Sequence, residues 1–237
     1  MKGTTRCRLK HIIYKVVWAA HHLLDLVRTH PMRVRNLRAV EAAADYIEQR
    51  MPEALGLETQ KELIEYALSE VRLEGHFLEF GVAGGGTIRF IAAQVPGQTI
   101  HGFDSFEGLP EAWSGTGIRG RTFSRGGRLP RVPENVALHK GWFSDTLPGW
   151  SAANDGVIAF LHVDCDVYSS TREVLTALAG RLQQGTVIVF DEYFNYPNWE
   201  NHEFKAWQEF VQTEHLSYEY LAYARNQVVV RVQGSQT

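Results

Sequence analysis

Short apolar runs alternate with amphipathic segments over most of the chain from residue 59 onward. Apolar runs predict strands at residues 77–81, 99–103, 136–140, 157–163 and 186–190, and the stretches between them include helical spacing. Two further runs, 217–223 and 227–232, have so short a link that they can pair only antiparallel. The pattern therefore predicts an α/β fold whose sheet is parallel except for one reversed strand near its edge.

The first 57 residues do not share this alternation. Apolar side chains recur there at helical spacing, at Val40, Ala43, Ala44, Ile47 and Met51. A capping box formed by Thr59 and Glu62 then begins a second helix. We therefore divide the chain into a helical N-terminal extension or lid, 1–57, and a main domain, 58–237.

The N-terminus combines basic residues with the apolar segment 12–20. It resembles a signal peptide only loosely, because Lys15 interrupts the apolar run and no A-x-A-like cleavage site follows. The run is also too short to cross a bilayer. We expect an amphipathic helix that packs on its own protein or on a second subunit in a homodimer; peripheral membrane contact is the alternative.

Composition and charge narrow the class of protein. The chain has 237 residues and a formal net charge of −3, so nucleic acid is not expected as a main partner. Its two cysteines, Cys7 and Cys165, do not form a disulfide framework, and this fits a reducing cytoplasm.

Carboxylates follow two of the predicted strands directly. Asp164 and Asp166 come after strand 157–163, and Asp191 and Glu192 come after strand 186–190. Carboxyl ends of neighbouring parallel strands share one edge, where open α/β sheets bind ligands. So much like charge is costly unless a cation shares it, and Asp164, Asp191 and Glu192 offer the oxygen ligands that Mg²⁺ prefers. Helix caps and salt bridges are the structural alternative.

A capping box is also predicted where the chain leaves this acidic edge. Ser170 with Glu173 fits S-x-x-E, which places the start of a helix at Ser170. His162, on the preceding strand, reads as a core histidine rather than a metal ligand.

Three further motifs point to a nucleoside. Glycines from Gly81 onward follow the first strand, but their spacing differs from G-x-G-x-x-G. Asp104 ends the second strand, where an acid can bind ribose hydroxyls in both nicotinamide and adenosylmethionine enzymes. The segment 142–145 follows the third strand and is expected against the adenine. A tight structural turn, a turn aspartate and a core aromatic pair are the respective alternatives.

The connection 105–134 is long for a compact α/β domain. Its arginines, Arg119, Arg121, Arg125, Arg128 and Arg131, would favour an anionic acceptor if the loop forms a substrate wall. The alternative is that they form a solvated loop face.

Taken together, the motifs LEFGVAGGGT, GFDSFEGLPEAW, KGWFSDTLP, LHVDCDVYSST and GTVIVFDEYFNYPNWENHEFKAWQEF resemble the macrocin O-methyltransferase family. The resemblance covers residues 59–215 and none of the first 57. It implies a Rossmann-like class I methyltransferase with helices on both faces of a seven-stranded sheet, in the order 3-2-1-4-5-7-6 with the last strand antiparallel.

The resemblance also implies the site. Mg²⁺ or another divalent cation is expected at Asp164, Asp191 and Glu192, and Asp166 is expected as general base. The alternative for Asp166 is a hydrogen bond to the N-terminus of its own helix. The residues expected to bind S-adenosylmethionine are Glu79, Gly81, Val82, Gly84, Thr87, Asp104, Ser105, Gly108, Trp142, Ser144, Asp145 and Asp164. Two positions depart from the family pattern: Glu192 replaces an aspartate, and Cys165 replaces a glycine.

The resulting hypothesis is a Mg²⁺-dependent transfer of a methyl group from S-adenosylmethionine to a hydroxyl of a sugar or glycosylated small molecule. A nicotinamide-dependent oxidoreductase shares Asp104 and the glycine turn but leaves the acidic edge unexplained. A non-catalytic protein that binds adenosylmethionine is the second alternative.

Overall fold

One eight-stranded sheet runs through the protein, in a computed structural model that describes residues 12–20 and 30–235. In chain order its strands are β1 Leu55–Leu57, β2 His76–Phe80, β3 Ile100–Asp104, β4 Val136–Lys140, β5 Ile158–Val163, β6 Val187–Phe190, β7 Leu216–Ala224 and β8 Gln227–Ser235. The order across the sheet is β1-β7-β8-β6-β5-β2-β3-β4.

The predicted topology is confirmed. Strands β2 to β8 are the seven expected ones in the expected order, and β8 is antiparallel to both of its neighbours. The eighth strand, β1, was not predicted and pairs parallel with β7 at the edge. It lies before residue 58, so the sheet includes three residues of the segment assigned to the extension. The division into extension and domain stays a prediction.

Helices cover both faces of the sheet. They are α1 Pro31–Arg50, α2 Gln60–Glu70, α3 Gly86–Gln94, α4 Phe143–Ala153, α5 Tyr168–Leu178 and α6 Glu203–Thr213. Helices α2 and α3 pack on one face, and α1, α4, α5 and α6 contribute to the core on the other. Strands β5 and β6 are buried on both faces, and apart from His162 their sequences are apolar, as such strands require.

The two predicted capping boxes have different outcomes. At α2 the box is present, because Thr59 accepts from the Glu62 N–H and the Glu62 carboxylate accepts from the Thr59 N–H. At α5 the prediction is wrong: the helix begins at Tyr168, and Ser170 lies inside its first turn. The reason is a tight turn in which Asp166 adopts φ 61° and starts the helix earlier.

The N-terminal region is helical in both of its described parts. Within 12–20 every side chain is exposed. Of the apolar residues predicted for this helical face, Ala43 and Met51 are buried and Ile47 is half-buried, whereas Val40 and Ala44 are exposed. No helix among the described residues is long and apolar enough to cross a membrane.

The carboxyl ends of the parallel strands are tied together by backbone hydrogen bonds. The Gly81 N–H donates to Phe103 O at 3.0 Å, and the Asp164 N–H donates to Phe80 O at 2.8 Å. Asp191 continues the series with an N–H bond of 2.9 Å to Val163 O. These bonds bring the residues after β2, β5 and β6 to one edge.

Gly81 is the tightest point of this edge. It has φ +95°, and a Cβ at this position would lie 1.7 Å from the backbone oxygen of Asp164. Any side chain would therefore force β2 and β5 apart in addition to straining the backbone.

We predict that Gly81→Ala lowers the free energy of unfolding by more than about 3 kcal/mol or prevents folding, because it adds a clash to a left-handed backbone. Gly149→Ala is the matched control. Gly149 lies inside α4 with nothing within 4 Å of an added Cβ, so alanine should stabilise by roughly 0.5–1 kcal/mol. Urea unfolding followed by tryptophan fluorescence measures both, and equal effects would contradict the close approach.

Candidate active site

A cavity of about 550 Å³ opens at the carboxyl edge of the sheet. Its walls come from the turns after β2, β3, β5 and β6, from the loop 105–134 and from the first turns of α4 and α5. The lining residues are Gly81, Ala83, Asp104, Ser105, Gly108, Leu109, Pro110, Trp113, Phe123, Trp142, Phe143, Asp164, Cys165, Asp166, Ser169, Ser170, Glu173 and Glu192. This volume lies in the range of small-molecule sites.

The cavity brings together part of the predicted cofactor set. Gly81, Asp104, Ser105, Gly108, Trp142 and Asp164 line it. The others lie outside the lining: Glu79 and Val82 are buried in the protein, Gly84, Ser144 and Asp145 are exposed, and Thr87 is half-buried. The predicted cofactor-binding residues that line the cavity are thus mainly those at the strand ends, together with Trp142.

Asp104 has the turn role that was considered as the alternative to ribose binding. Its Oδ2 accepts from the Ala83 N–H and its Oδ1 from the Phe106 N–H, each at 2.6 Å. These bonds fix the glycine turn against the turn after β3. Each carboxylate oxygen has a further lone pair, and Asp104 lines the cavity, so it can also accept from a ligand hydroxyl.

Glu79 lies behind the cavity in a buried chain of charged groups. Its Oε2 is 3.4 Å from His162 Nδ1, and His162 Nε2 is 3.7 Å from Asp191 Oδ1. Burial lowers the pKa of His162, but the two carboxylates outweigh it and hold the pKa well above the usual value. His162 thus lies between two carboxyl groups that favour its protonated form, consistent with its interpretation as a core residue rather than a metal ligand.

The acids at the strand ends raise one another's pKa values. Burial, followed by the charge of Asp191, raises the pKa of Asp164 well above its usual value. The same two causes raise the pKa of Asp166 to about 7 and that of Glu192 to about 8. Asp164, Asp166 and Glu192 line the cavity, so a ligand there can contact all three.

The predicted metal ligands share this edge but are not assembled around one point. Residues 12–20 and 30–235 contain no group of three or more His, Cys, Asp or Glu side chains that could hold a metal ion as they stand. Asp191 Oδ1 accepts from Gln60 Nε2, and Glu192 Oε2 accepts from Asn226 Nδ2 at 3.1 Å. The donor chemistry nevertheless fits a hard divalent cation, because crowded carboxylates with raised pKa gain most from one.

Glu203 is a site residue that the sequence reasoning missed. It is fully buried at the start of α6. Its Oε1 accepts from the N–H groups of Cys165 and Asp166, each at 3.1 Å, and its Oε2 from that of Glu192 at 3.0 Å. Burial and then the nearby Glu192 charge raise its pKa, while the Glu192 N–H lowers it. An acid at a helix start reads as an ordinary first-turn residue, so no sequence signal singles it out.

The loop 105–134 forms a wall of the cavity through its apolar residues. Leu109, Pro110, Trp113 and Phe123 line the cavity. In the described part of the chain the loop's five arginines are exposed and absent from the lining, as the alternative of a solvated face proposed. The wall is fixed at Ser114, whose backbone oxygen lies 2.9 Å from His202 Nε2.

Comparison with known proteins agrees with this geometry. Residues 78–193 match the family described as "Methyltransferase domain". A Streptomyces olivaceus protein, 8-demethyl-8-(2,3-dimethoxy-α-L-rhamnosyl)-tetracenomycin-C 4′-O-methyltransferase, is 32% identical over 144 residues, 50% of this chain and 53% of the relative. Mycinamicin III 3″-O-methyltransferase from Micromonospora griseorubida is 30% identical over 146 residues, 50% of this chain and 55% of the relative.

The fold comparison covers more of the chain. The crystal structure of the calicheamicin methyltransferase CalS11 superposes with a TM-score of 0.58 at 22% identity, over 89% of this chain and 90% of that one. The class I methyltransferase fold is thus confirmed, and so is the family resemblance drawn from the motifs. The chain spans about half the length of the two curated relatives described above.

The raised pKa of Asp166 predicts a pH-dependent cost. Between its unfolded pKa of about 3.9 and its folded pKa of about 7, the folded protein binds a proton that the unfolded chain releases, so stability falls as the pH rises through this window. In EDTA, Asp166→Asn should exceed the wild type by roughly 1–3 kcal/mol at pH 8.5, with the difference vanishing toward pH 4. Urea unfolding at both pH values measures it.

Asp155→Asn is the control for this prediction, because Asp155 is an exposed aspartate away from the cavity. It should show no such pH-dependent gain. A gain of the same size for Asp166→Asn at both pH values would contradict a charge effect at Asp166.

Proposed function

We propose that this chain, a homologue of bacterial sugar O-methyltransferases, transfers a methyl group from S-adenosylmethionine to a sugar hydroxyl of a glycosylated small molecule. The observation that carries the proposal is that one cavity is lined both by Asp104 and Trp142, which suit a nucleoside, and by the acids Asp164 and Asp166. The printed activities of the relatives, methylation at sugar positions, support the acceptor class.

The donor would lie at the side of the cavity formed by β2, β3 and α4. Gly81 and Ala83 let the backbone approach it, Asp104 is placed for the ribose hydroxyls, and Trp142 with Phe143 offers an aromatic wall to the adenine. S-adenosylmethionine, when bound, supplies a methyl group activated by the sulfonium. The protein's main contribution is then alignment, which can be worth several kcal/mol.

The acceptor would lie between the acids and the apolar wall of loop 105–134. Asp166 is the proposed general base: it faces the cavity, and its pKa of about 7 is near that of an effective base at neutral pH. Asp164, Asp191 and Glu192 are the proposed ligands of a divalent cation such as Mg²⁺. When bound, that ion would make neighbouring hydroxyls more acidic.

The side chains of the cavity favour a neutral acceptor. Asp164, Asp166, Glu173 and Glu192 line it, and its described lining contains no lysine or arginine. A phosphate or pyrophosphate would therefore find no basic side chain to pair with in this lining. This argues for a glycoside with an apolar aglycone, which can pack on Trp113 and its neighbours, rather than for a nucleotide-linked sugar.

An oxidoreductase function is less well supported, because it assigns no role to the acids after β5 and β6. Melting-temperature shifts with S-adenosylhomocysteine against NAD separate the two functions, and a shift with NAD alone would overturn the proposal. Binding of adenosylhomocysteine without turnover of any glycoside would favour the non-catalytic alternative.

We predict that Asp166→Asn lowers kcat by roughly 10²–10⁴-fold, as loss of a general base does, while adenosylhomocysteine affinity changes little. Asp164→Asn should abolish turnover and also weaken Mn²⁺ binding. Single-turnover assays with calorimetry measure both variants, and Asp155→Asn is the control. Near-full turnover by Asp166→Asn with none by Asp164→Asn would remove Asp166 from the base role and leave the metal role.

We predict that a rhamnoside with a hydrophobic aglycone is methylated with a kcat/KM at least about tenfold above that of nucleotide-linked rhamnose, since the cavity lining offers an apolar wall but no basic side chain for phosphates. Glu173→Gln should narrow this ratio, because it removes one cavity charge. Matched initial-rate assays test it. Preference of the wild type for the nucleotide-linked sugar would contradict the neutral acceptor.

A further inference from the structure

The loop 105–134 is held against the segment that precedes α6. His202 Nε2 lies 2.9 Å from the backbone oxygen of Ser114, and Asn198 Nδ2 donates to the Ser114 hydroxyl at 2.7 Å. Gly115 follows with φ +93°, and a Cβ there would lie 2.2 Å from the backbone oxygen of Pro197. The two segments therefore meet at backbone distance, and we refer to these residues as the clasp.

The hydrogen bond between His202 and Ser114 has a defined donor. A carbonyl oxygen can only accept, so Nε2 of His202 carries the hydrogen that is donated to the loop. His202 is buried, and this burial lowers the pKa of its imidazole, so the ring is neutral at about pH 7. Its role in the clasp thus needs an N–H group at this place but no charge.

The residue before the clasp is Trp113, which forms part of the cavity wall. Its indole is 6% exposed and meets the rings of Tyr196 and His202 edge-on, with centroid distances of 5.3 and 6.3 Å. The Tyr196 hydroxyl in turn donates to the backbone oxygen of Glu192 at 3.1 Å. The place of this indole relative to the acids is therefore set by contacts between the loop and the segment 196–202.

A long connection of this kind has no regular ladder to hold each of its residues. In the described part of the loop, Trp113 pairs only with Ile118, in a single bridge that lies inside the loop itself. That bridge shapes the loop but does not fix it on the domain. The clasp supplies a fixed point immediately beside Trp113.

We infer that His202 is a positioning residue for the acceptor: by holding Ser114 it keeps Trp113 in the cavity wall, where the indole packs on the apolar aglycone. The inference rests on the proposed function, because it concerns the acceptor proposed there. His202 is outside the cavity lining and acts through Trp113. Binding of the methyl donor, at the side of Asp104, should not depend on it.

Two substitutions at His202 separate its hydrogen bond from its packing. Glutamine replaces the ring but has an amide NH₂ that can donate to Ser114, whereas leucine fills the buried space without a donor. His30→Leu is the matched control, because His30 is exposed before α1 and its side chain makes no capping hydrogen bond.

The experiment compares naphthyl and methyl α-L-rhamnoside as acceptors in initial-rate assays on the full chain. His202→Leu should raise KM for the naphthyl rhamnoside at least about tenfold, since an aromatic contact is lost. Its kcat, and its KM for the methyl rhamnoside, should stay within about threefold of the wild type, because the sugar and the acids are unaffected. His202→Gln should stay within about threefold throughout, and His30→Leu should match the wild type.

A double-mutant cycle tests whether His202 acts through Trp113. Trp113→Ala alone should raise KM for the naphthyl rhamnoside to a similar extent, and adding His202→Leu should change it by less than about twofold further. Additive losses would overturn the inference, and so would an unchanged naphthyl KM in His202→Leu. A parallel loss of S-adenosylhomocysteine affinity, which indicates general loosening, would overturn it as well.

These outcomes leave the proposed function standing, because the wild type still methylates the glycosides. A wild type that binds S-adenosylhomocysteine but methylates neither rhamnoside overturns the acceptor of the proposed function and the inference with it.

A measurement on the wild type keeps the test decisive if His202→Leu does not fold. The indole N–H resonance of Trp113 can be identified by its loss in Trp113→Phe. It should shift when the naphthyl rhamnoside is added and stay in place with the methyl rhamnoside. A resonance that ignores the naphthyl rhamnoside would contradict contact between Trp113 and the aglycone.

Discussion

The contact between Gly81 and Asp164 is the constraint on which the site depends. At this point the ends of β2 and β5 pass so closely that a Cβ on Gly81 would lie 1.7 Å from the Asp164 oxygen. The Asp164 N–H then bonds Phe80 O, which keeps the two strands in register up to their last residues. Because of this approach, the wall suited to a nucleoside and the acidic turns border the same cavity rather than two separate ones.

The same arrangement concentrates negative charge, and the protein offsets that cost with internal partners. His162 lies between Glu79 and Asp191, and backbone N–H groups surround the Glu203 carboxylate. The pKa values of Asp166 and Glu192 nevertheless remain raised, to about 7 and about 8. Perturbed pKa values of this kind are typical of functional sites, where crowded acids lower the stability of the folded protein.

Much of the fold could be read from the sequence because its strands are short, apolar and followed at once by acids or glycines. The alternation from His76 to Phe190 and the short link before β8 predicted a parallel sheet with one reversed strand, and the strand order came from the family resemblance. Local pattern failed where tertiary contacts decide. Helix α5 begins at Tyr168 rather than Ser170 because of the turn at Asp166, and β1 is too short to show periodicity. Glu203 could not be found, since its partners are distant backbone groups.

The most direct test of the account is a crystal structure with S-adenosylhomocysteine bound. The account predicts the ribose at Asp104, the adenine against Trp142, and the sulfur beside Gly81 and Asp164, facing Asp166. A nucleoside bound away from this edge, or a sulfur turned away from the acids, would contradict the claim that donor and acceptor meet at these strand ends.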